Sequence, residues 1–159
     1  MALIQHLLQQ SSEDNKGSIL VFLPGYEDII NIKQMLDDLK EGCLILMLHS
    51  QMPTEDQKLI FRPSHNGLRK VILSTNIAET SLTINDVTCV VDCGKVKEKT
   101  YDGLSDSSML KLTWISKSSA EQRKGRAGRT GPGVCYKLYS RQDHFSFVFG
   151  YHCYAENPI

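Results

Sequence analysis

The residues best suited to chemistry in this chain are the arginines of the run QRKGRAGR, residues 122–129. Arg126 and Arg129 stand three apart with only small residues between them, so both fall on one side of a short helix or of its end. A guanidinium is permanently charged and forks onto phosphate oxygens. The glycines of the run, Gly125 and Gly128, let the backbone approach a ligand closely. A solvated basic turn or a structural ion-pair cluster would use the same residue types. A second run, STNIAETSLTI at residues 74–84, sets hydroxyls and an asparagine directly after an apolar stretch. Small donors there suit phosphate oxygens without demanding a base identity. An ordinary capped loop has the same composition.

These groups need elements to position them. Residues 18–23 (SILVFL) are a continuous apolar run closed by Pro24 and Gly25, which predicts a buried strand. Residues 26–39 carry Ile29, Ile32, Leu36 and Leu39 at helical spacing. Residues 43–48, 70–73, 87–92 and 133–139 are further apolar strands. The series Thr54, Glu55, Asp56, Gln57 reads as a capping box opening a helix to about Phe61. Strands that are apolar on both sides and joined by helices predict an α/β fold, a parallel sheet with helices on both faces. Ligands of such a sheet gather at the carboxyl ends of its strands. Those ends hold Pro24 and Gly25, His49 and Ser50, Ser74 to Asn76, and Gly94 and Lys95.

Residues 95–115 alternate charged and apolar side chains around Asp102 and Gly103, which predicts a protruding β-hairpin. Ser118 or Ser119 is the expected cap of a short helix carrying Glu121 to Arg126. After Ser140 the signal fades, and residues 145–154 are aromatic-rich without a period. The expected division is 1–16 as an N-terminal helix and linker, 17–140 as the α/β domain, and 141–159 as a tail.

Composition narrows the class. The chain has 159 residues, with 41% hydrophobic and 23% charged, values that exclude a disordered, collagen-like or coiled-coil protein. No run approaches the ~20 apolar residues of a membrane span, so no membrane partner is expected. Net charge is zero, but residues 1–66 carry five basic and nine acidic groups and residues 67–159 carry thirteen and nine. Between Lys117 and Arg141 seven bases meet one acid, a local basic patch in a neutral chain. The five cysteines are odd in number and form no CxxC, so buried thiols of a reducing compartment, cytoplasmic or nuclear, are expected, and no metal site.

Taken together, VFLPG (21–25), LHSQMPTEDQ (48–57), STNIAETSLTI (74–84) and QRKGRAGR (122–129) resemble motifs IV, IVa, V and VI of DEAH/RHA-type RNA helicases, in order and at family spacing. The run GKVKEKTYD (94–102) resembles the RNA helicase A-like branch, which includes the YTH-domain-containing helicase. The resemblance implies a second RecA-like lobe, one of two that close on ATP with Mg²⁺ and share an RNA track. It implies Arg126 and Arg129 as arginine fingers, Gln122 as a group that places the attacking water, and Gly125 in the nucleotide-facing backbone. It implies Phe61 as an adenine-stacking ring, although a core helix residue would also suit that position. Asn85 or Asp86 would stand near the ribose. Ser50, Thr75, Asn76 and Thr80 would touch the RNA backbone, and the hairpin would part strands or serve folding alone. Neither GxxxxGK[ST] nor DExH occurs in this chain, so the expected partner in cis is a first lobe, and the chain alone is expected to be inactive. The alternative is a non-catalytic RNA- or protein-binding module. A stand-alone nucleotide-binding α/β protein is a third reading.

Overall fold

The computed structural model describes residues 1–10, 17–38, 42–62, 68–80, 82–102, 107–129, 131–140 and 154–156. The elements run α1 (Ala2–Gln9), β1 (Ser18–Phe22), α2 (Tyr26–Asp38), β2 (Cys43–Leu48), α3 (Thr54–Lys58) with a 3₁₀ turn (Leu59–Phe61), β3 (Arg69–Ser74), α4 (Ile77–Thr80), β4 (Val87–Asp92), β5 (Lys95–Asp102), β6 (Ser107–Trp114), α5 (Lys117–Lys124), β7 (Val134–Lys137) and β8 (Tyr154–Glu156). The main sheet has the order β2-β3-β1-β4-β7-β8. Its first five strands are parallel, and β8 runs antiparallel to β7. Strands β5 and β6 form a separate antiparallel hairpin. This is the α/β architecture read from the apolar runs.

Alternation along each buried strand divides the core between two faces. Leu20, Phe22, Leu48, Ile72 and Val90 pack with Ile60, Ala78, Ile84 and Ala127 beneath the 3₁₀ turn, α4 and the end of α5. Ile19, Val21, Val71, Leu73, Cys89 and Val91 pack with Ile4, Leu7, Ile29 and Leu36 of α1 and α2. Every chemically suggestive run of the sequence therefore lies on the first face or at its rims. Helix α1 is docked onto the second face, where the buried Arg69 donates from Nη1 to the Leu7 carbonyl (2.6 Å) and from Nε to the Gly17 carbonyl (3.0 Å).

Local details depart from expectation. Helix α3 starts after Pro53 without a side-chain cap, and Gln57 donates to the Met52 carbonyl (3.0 Å). The helix then tightens into the 3₁₀ turn, because Arg69 begins a strand only eight residues after Phe61. Helix α5 is capped by Ser116, two or three residues earlier than expected; its Oγ accepts from Ser119 N at 3.1 Å. The tail contributes β8, which its lack of period concealed.

None of the four described cysteines is in a disulfide, and Cys153 lies outside the described residues. Burial pushes the Cys89 thiol up to about 12, with Arg69 opposing the shift, so at pH 8 only about one molecule in 10⁴ carries the thiolate. Iodoacetamide at pH 8 is expected to leave Cys89 unmodified in the folded chain and to label it fully in guanidinium. Peptide mass spectrometry reads the result, and rapid labelling of the folded chain would refute this packing.

Candidate functional site

The carboxyl rim of the first face holds the hydroxyl cluster. Thr75 N donates to the Leu48 carbonyl (3.1 Å) and Leu23 N to the Ser74 carbonyl (2.8 Å), drawing the ends of β1, β2 and β3 together. Exposed Ser50, half-buried Thr75 and exposed Asn76 thus share one edge, set by the Leu48–Ser74 register. The Asn76 carbonyl accepts from Glu79 N (2.9 Å) and opens the single turn of α4, which ends at exposed Thr80. His49 packs edge-on against Tyr26 with ring centroids 4.7 Å apart at the same rim.

From Thr80 the chain crosses the face toward the amino ends of the strands, and the arginine run lies along it. Ala127 is buried in the core, so the flanking Arg126 and Arg129 are carried over the 79–83 segment. Arg126 donates from Nη1 to the Leu82 carbonyl (3.1 Å) and from Nη2 to the Glu79 carbonyl. Its Nε is buried without an acceptor. Arg129 is exposed and reaches Thr83 Oγ1 at 3.3 Å. Burial and then the charge of Arg129 hold the Arg126 guanidinium below its ordinary value, with Glu79 offsetting part of the effect. Among the described residues neither arginine forms an ion pair with a carboxylate. Two adjacent guanidiniums with a spare buried N–H form a donor set that fits an oxyanion such as the phosphates of ATP.

Gln122 is exposed on α5 one turn before Arg126, and Gly125 is the exposed C-cap of that helix. Gly125 is in the right-handed region (φ −65°), so its lack of a side chain is not dictated by conformation. Gly128 is the glycine the backbone requires: its φ is +78°, and a Cβ there would meet the Gly131 carbonyl at 3.1 Å. Gly128 N donates to the Val87 carbonyl (3.3 Å), anchoring the run at the amino end of β4. Phe61 is 46% exposed at the same end. Asn85 and Asp86 are both exposed, and Asp86 accepts from Ser18 Oγ (2.8 Å) and pairs with Lys70 Nζ (2.7 Å). The expectation that chemistry gathers only at the carboxyl ends is therefore too narrow. The structure spreads the candidates over a face, with hydroxyls at one rim and arginines, Phe61 and Asn85 toward the other.

Sequence reasoning missed the residues that join these two groups. Arg123, fully buried, donates from Nε to Glu79 Oε1 (2.7 Å) and from Nη1 to Asp92 Oδ1 (2.7 Å). Its guanidinium also lies 4.8 Å from the Phe22 ring centroid. Asp92 further accepts from Gly94 N (2.9 Å) and from the Tyr139 hydroxyl (2.9 Å). Burial opposes the Arg123 charge, but Asp92 and then Glu79 outweigh it and hold the group above its ordinary value. Burial first, and then the Asp92 charge, push the Tyr139 hydroxyl up. Gly94 has φ +72°, and any Cβ there would stand 2.4 Å from the Tyr139 ring. One sequence signal was available: VTCVVD places a carboxylate at the end of an apolar strand, and a buried charge demands a partner.

The helicase conserved C-terminal domain model matches residues 1–131. The chain is 48% identical over 147 residues to the DExH-box ATP-dependent RNA helicase DExH2 of Arabidopsis thaliana, covering 89% of this chain and 9% of that protein. It is 49% identical over 138 residues to the probable ATP-dependent RNA helicase DHX34 of Mus musculus, covering 85% of this chain and 12% of that protein. It superposes on the crystal structure of the E. coli DExH-box NTPase HrpB with a TM-score of 0.79 at 35% identity, covering 90% of this chain and 17% of that one. The chain thus spans about a tenth of the length of these curated relatives. The chain belongs to the helicase conserved C-terminal domain family, as the second RecA-like domain of the DExH/DEAH RNA helicase type.

Proposed function

We propose that this lobe supplies half of an inter-lobe ATPase site and half of an RNA track. The observation that carries the reading is the pair Arg126 and Arg129, adjacent cations with no carboxylate partner among the described residues and a buried, unpartnered Nε. Phosphoryl transfer needs positioning and charge neutralisation more than covalent chemistry, and guanidiniums serve both. In this reading ATP and Mg²⁺ are held mainly by a first RecA-like lobe in cis. Arg126 and Arg129 neutralise charge at the γ-phosphate when the lobes close, and Gln122 orients the attacking water. Phe61 faces the adenine, Asn85 or Asp86 the ribose, and Gly125 gives the backbone its close approach. Ser50, Thr75, Asn76 and Thr80 hold RNA by phosphate and sugar, without reading sequence.

The RecA-like unit is 17–140, with 1–16 preceding it and a divergent tail at 141–159, and the lobe works in the cytoplasm or nucleus. The β5–β6 hairpin is the strand-parting element. Among the described residues no helix is long and apolar enough to cross a membrane.

Measuring RNA-stimulated ATPase of the lobe joined to its first lobe, and of the chain alone, tests this. The joined protein is expected to turn over ATP, and the chain alone is not. Ser50→Ala with Asn76→Ala is expected to weaken RNA stimulation about tenfold through lost backbone contacts. RNA binding with no ATP turnover by the joined protein would favour a non-catalytic binding module instead.

A further inference from the structure

Lys70 is the second residue of β3 and only 2% exposed, an unusual place for an ammonium. Its three N–H groups meet three acceptors. They are the Ile60 carbonyl at 3.0 Å, the Arg62 carbonyl at 3.2 Å and Asp86 Oδ2 at 2.7 Å. The two carbonyls flank Phe61 on either side. With both turned inward to one cation, the 3₁₀ turn is held at two points around that residue. Ile60 is then buried in the core and Phe61 is left 46% exposed. Rolling the turn would break two charge-assisted hydrogen bonds in a desolvated setting.

The third acceptor fixes the other side of the same region. Strands β3 and β4 are not neighbours, because β1 lies between them. The Lys70–Asp86 pair spans that gap at the amino ends of the strands, and Ser18 of β1 joins it by donating from Oγ to Asp86 Oδ2 (2.8 Å) and from N to the Asp86 carbonyl (2.7 Å). The Asp86 carboxylate is thereby tied to β3 and β1, although its side chain stays 47% exposed. An apolar side chain of the same length would fill the space but would tie neither the turn nor the 85–86 segment to β3.

We propose that Lys70 is the positioning residue of the nucleoside subsite, locking the Phe61 turn against the 85–86 segment. The inference rests on the nucleotide reading above and goes beyond it by naming what sets the subsite. It acts on the nucleoside and leaves the phosphate clamp alone.

The test is RNA-stimulated ATPase of the full-length helicase carrying this lobe, with ADP and inorganic pyrophosphate as competing inhibitors. Lys70→Met is expected to raise KM for ATP and Ki for ADP about tenfold, keep kcat within about twofold and leave Ki for pyrophosphate unchanged. Asp86→Asn, which preserves volume and the Ser18 contact, is expected to move the same two constants in the same direction. Phe61→Ala reports on the subsite itself. If Phe61→Ala raises KM and Lys70→Met does not, the positioning role is overturned while the nucleotide reading stands. If Phe61→Ala leaves KM unchanged, the nucleotide reading fails and the inference with it. A parallel rise of the ADP and pyrophosphate constants marks general loosening and overturns the proposal. Should the thermal melt show that Lys70→Met does not fold, Asp86→Asn decides, and unchanged KM and ADP Ki in that variant overturn it.

Discussion

Arg129→Ala, placed in the two-lobe protein, lowers ATP turnover by about 10³–10⁵-fold, the loss expected of an arginine finger, and leaves the melting temperature of the lobe unchanged. The two halves of that result have separate causes. Arg129 is exposed and among the described residues its hydrogen bond is a long one, to Thr83 Oγ1 at 3.3 Å, so its removal is expected to cost the fold little. After burial, its charge is the second influence that holds the Arg126 guanidinium below its ordinary value, so the two cations lie near one another. Arg129→Lys is expected to recover little, because an ammonium cannot fork onto two phosphate oxygens.

Arg126→Ala shares the loss of turnover and adds a second effect. Its two terminal nitrogens hold the Glu79 and Leu82 carbonyls, so the segment after α4 loosens and RNA stimulation falls with it. Steady-state ATPase with and without RNA separates the two variants. Turnover within tenfold of wild type in both would remove the finger assignment.

Arg123→Met destabilises the lobe at pH 8 by about 3–5 kcal/mol, the cost of stripping one partner from a buried ion cluster. That corresponds to a fall in melting temperature of roughly 10 °C for a chain of this size. The physical reason is the arrangement around Asp92, which is fully buried beside Glu79. Without the cation both carboxylates are left in a desolvated site with no charge partner, which is costly. Adding Asp92→Asn and Glu79→Gln to Arg123→Met is expected to restore much of the loss at pH 8. Thermal melts monitored by circular dichroism measure each step. A variant that melts with wild type at pH 8, or a triple variant that recovers none of the loss, would falsify the account of the cluster.

Arg123 also ties together two motifs distant in sequence. Its Nε holds the Glu79 side chain, and Arg126 holds the Glu79 backbone carbonyl. Glu79 lies between Asn76 and Thr80, the candidate RNA contacts. A shift of α4 on the RNA side must therefore move against α5, which carries Gln122 and leads into the arginines. The same Arg123 lies within 3.4 Å of the Lys95 carbonyl, at the root of the β5–β6 hairpin.

The sequence by itself determined the elements that repeat a period. Continuous apolar runs at 18–23 and 87–92 became β1 and β4, because burial on both faces leaves no other composition for a central parallel strand, and the run 43–48 became the edge strand β2. The alternating stretch 95–115 became a hairpin whose described residues are exposed on both sides over most of its length, with Val96 and Ile115 buried at its root. The chemical types of the candidate site were legible too, since Arg126, Arg129 and the hydroxyls of 74–84 belong to local runs. Tertiary structure alone decided which residues meet. Lys70 and Asp86 are sixteen apart and pair across an intervening strand; Arg123 reaches Glu79 and Asp92 over 44 and 31 positions. Such contacts leave no periodic trace, because a single buried charge needs one partner in space and none at any fixed distance along the chain. The same reason hid β8, whose three residues are a strand only because β7 offers an unpaired edge.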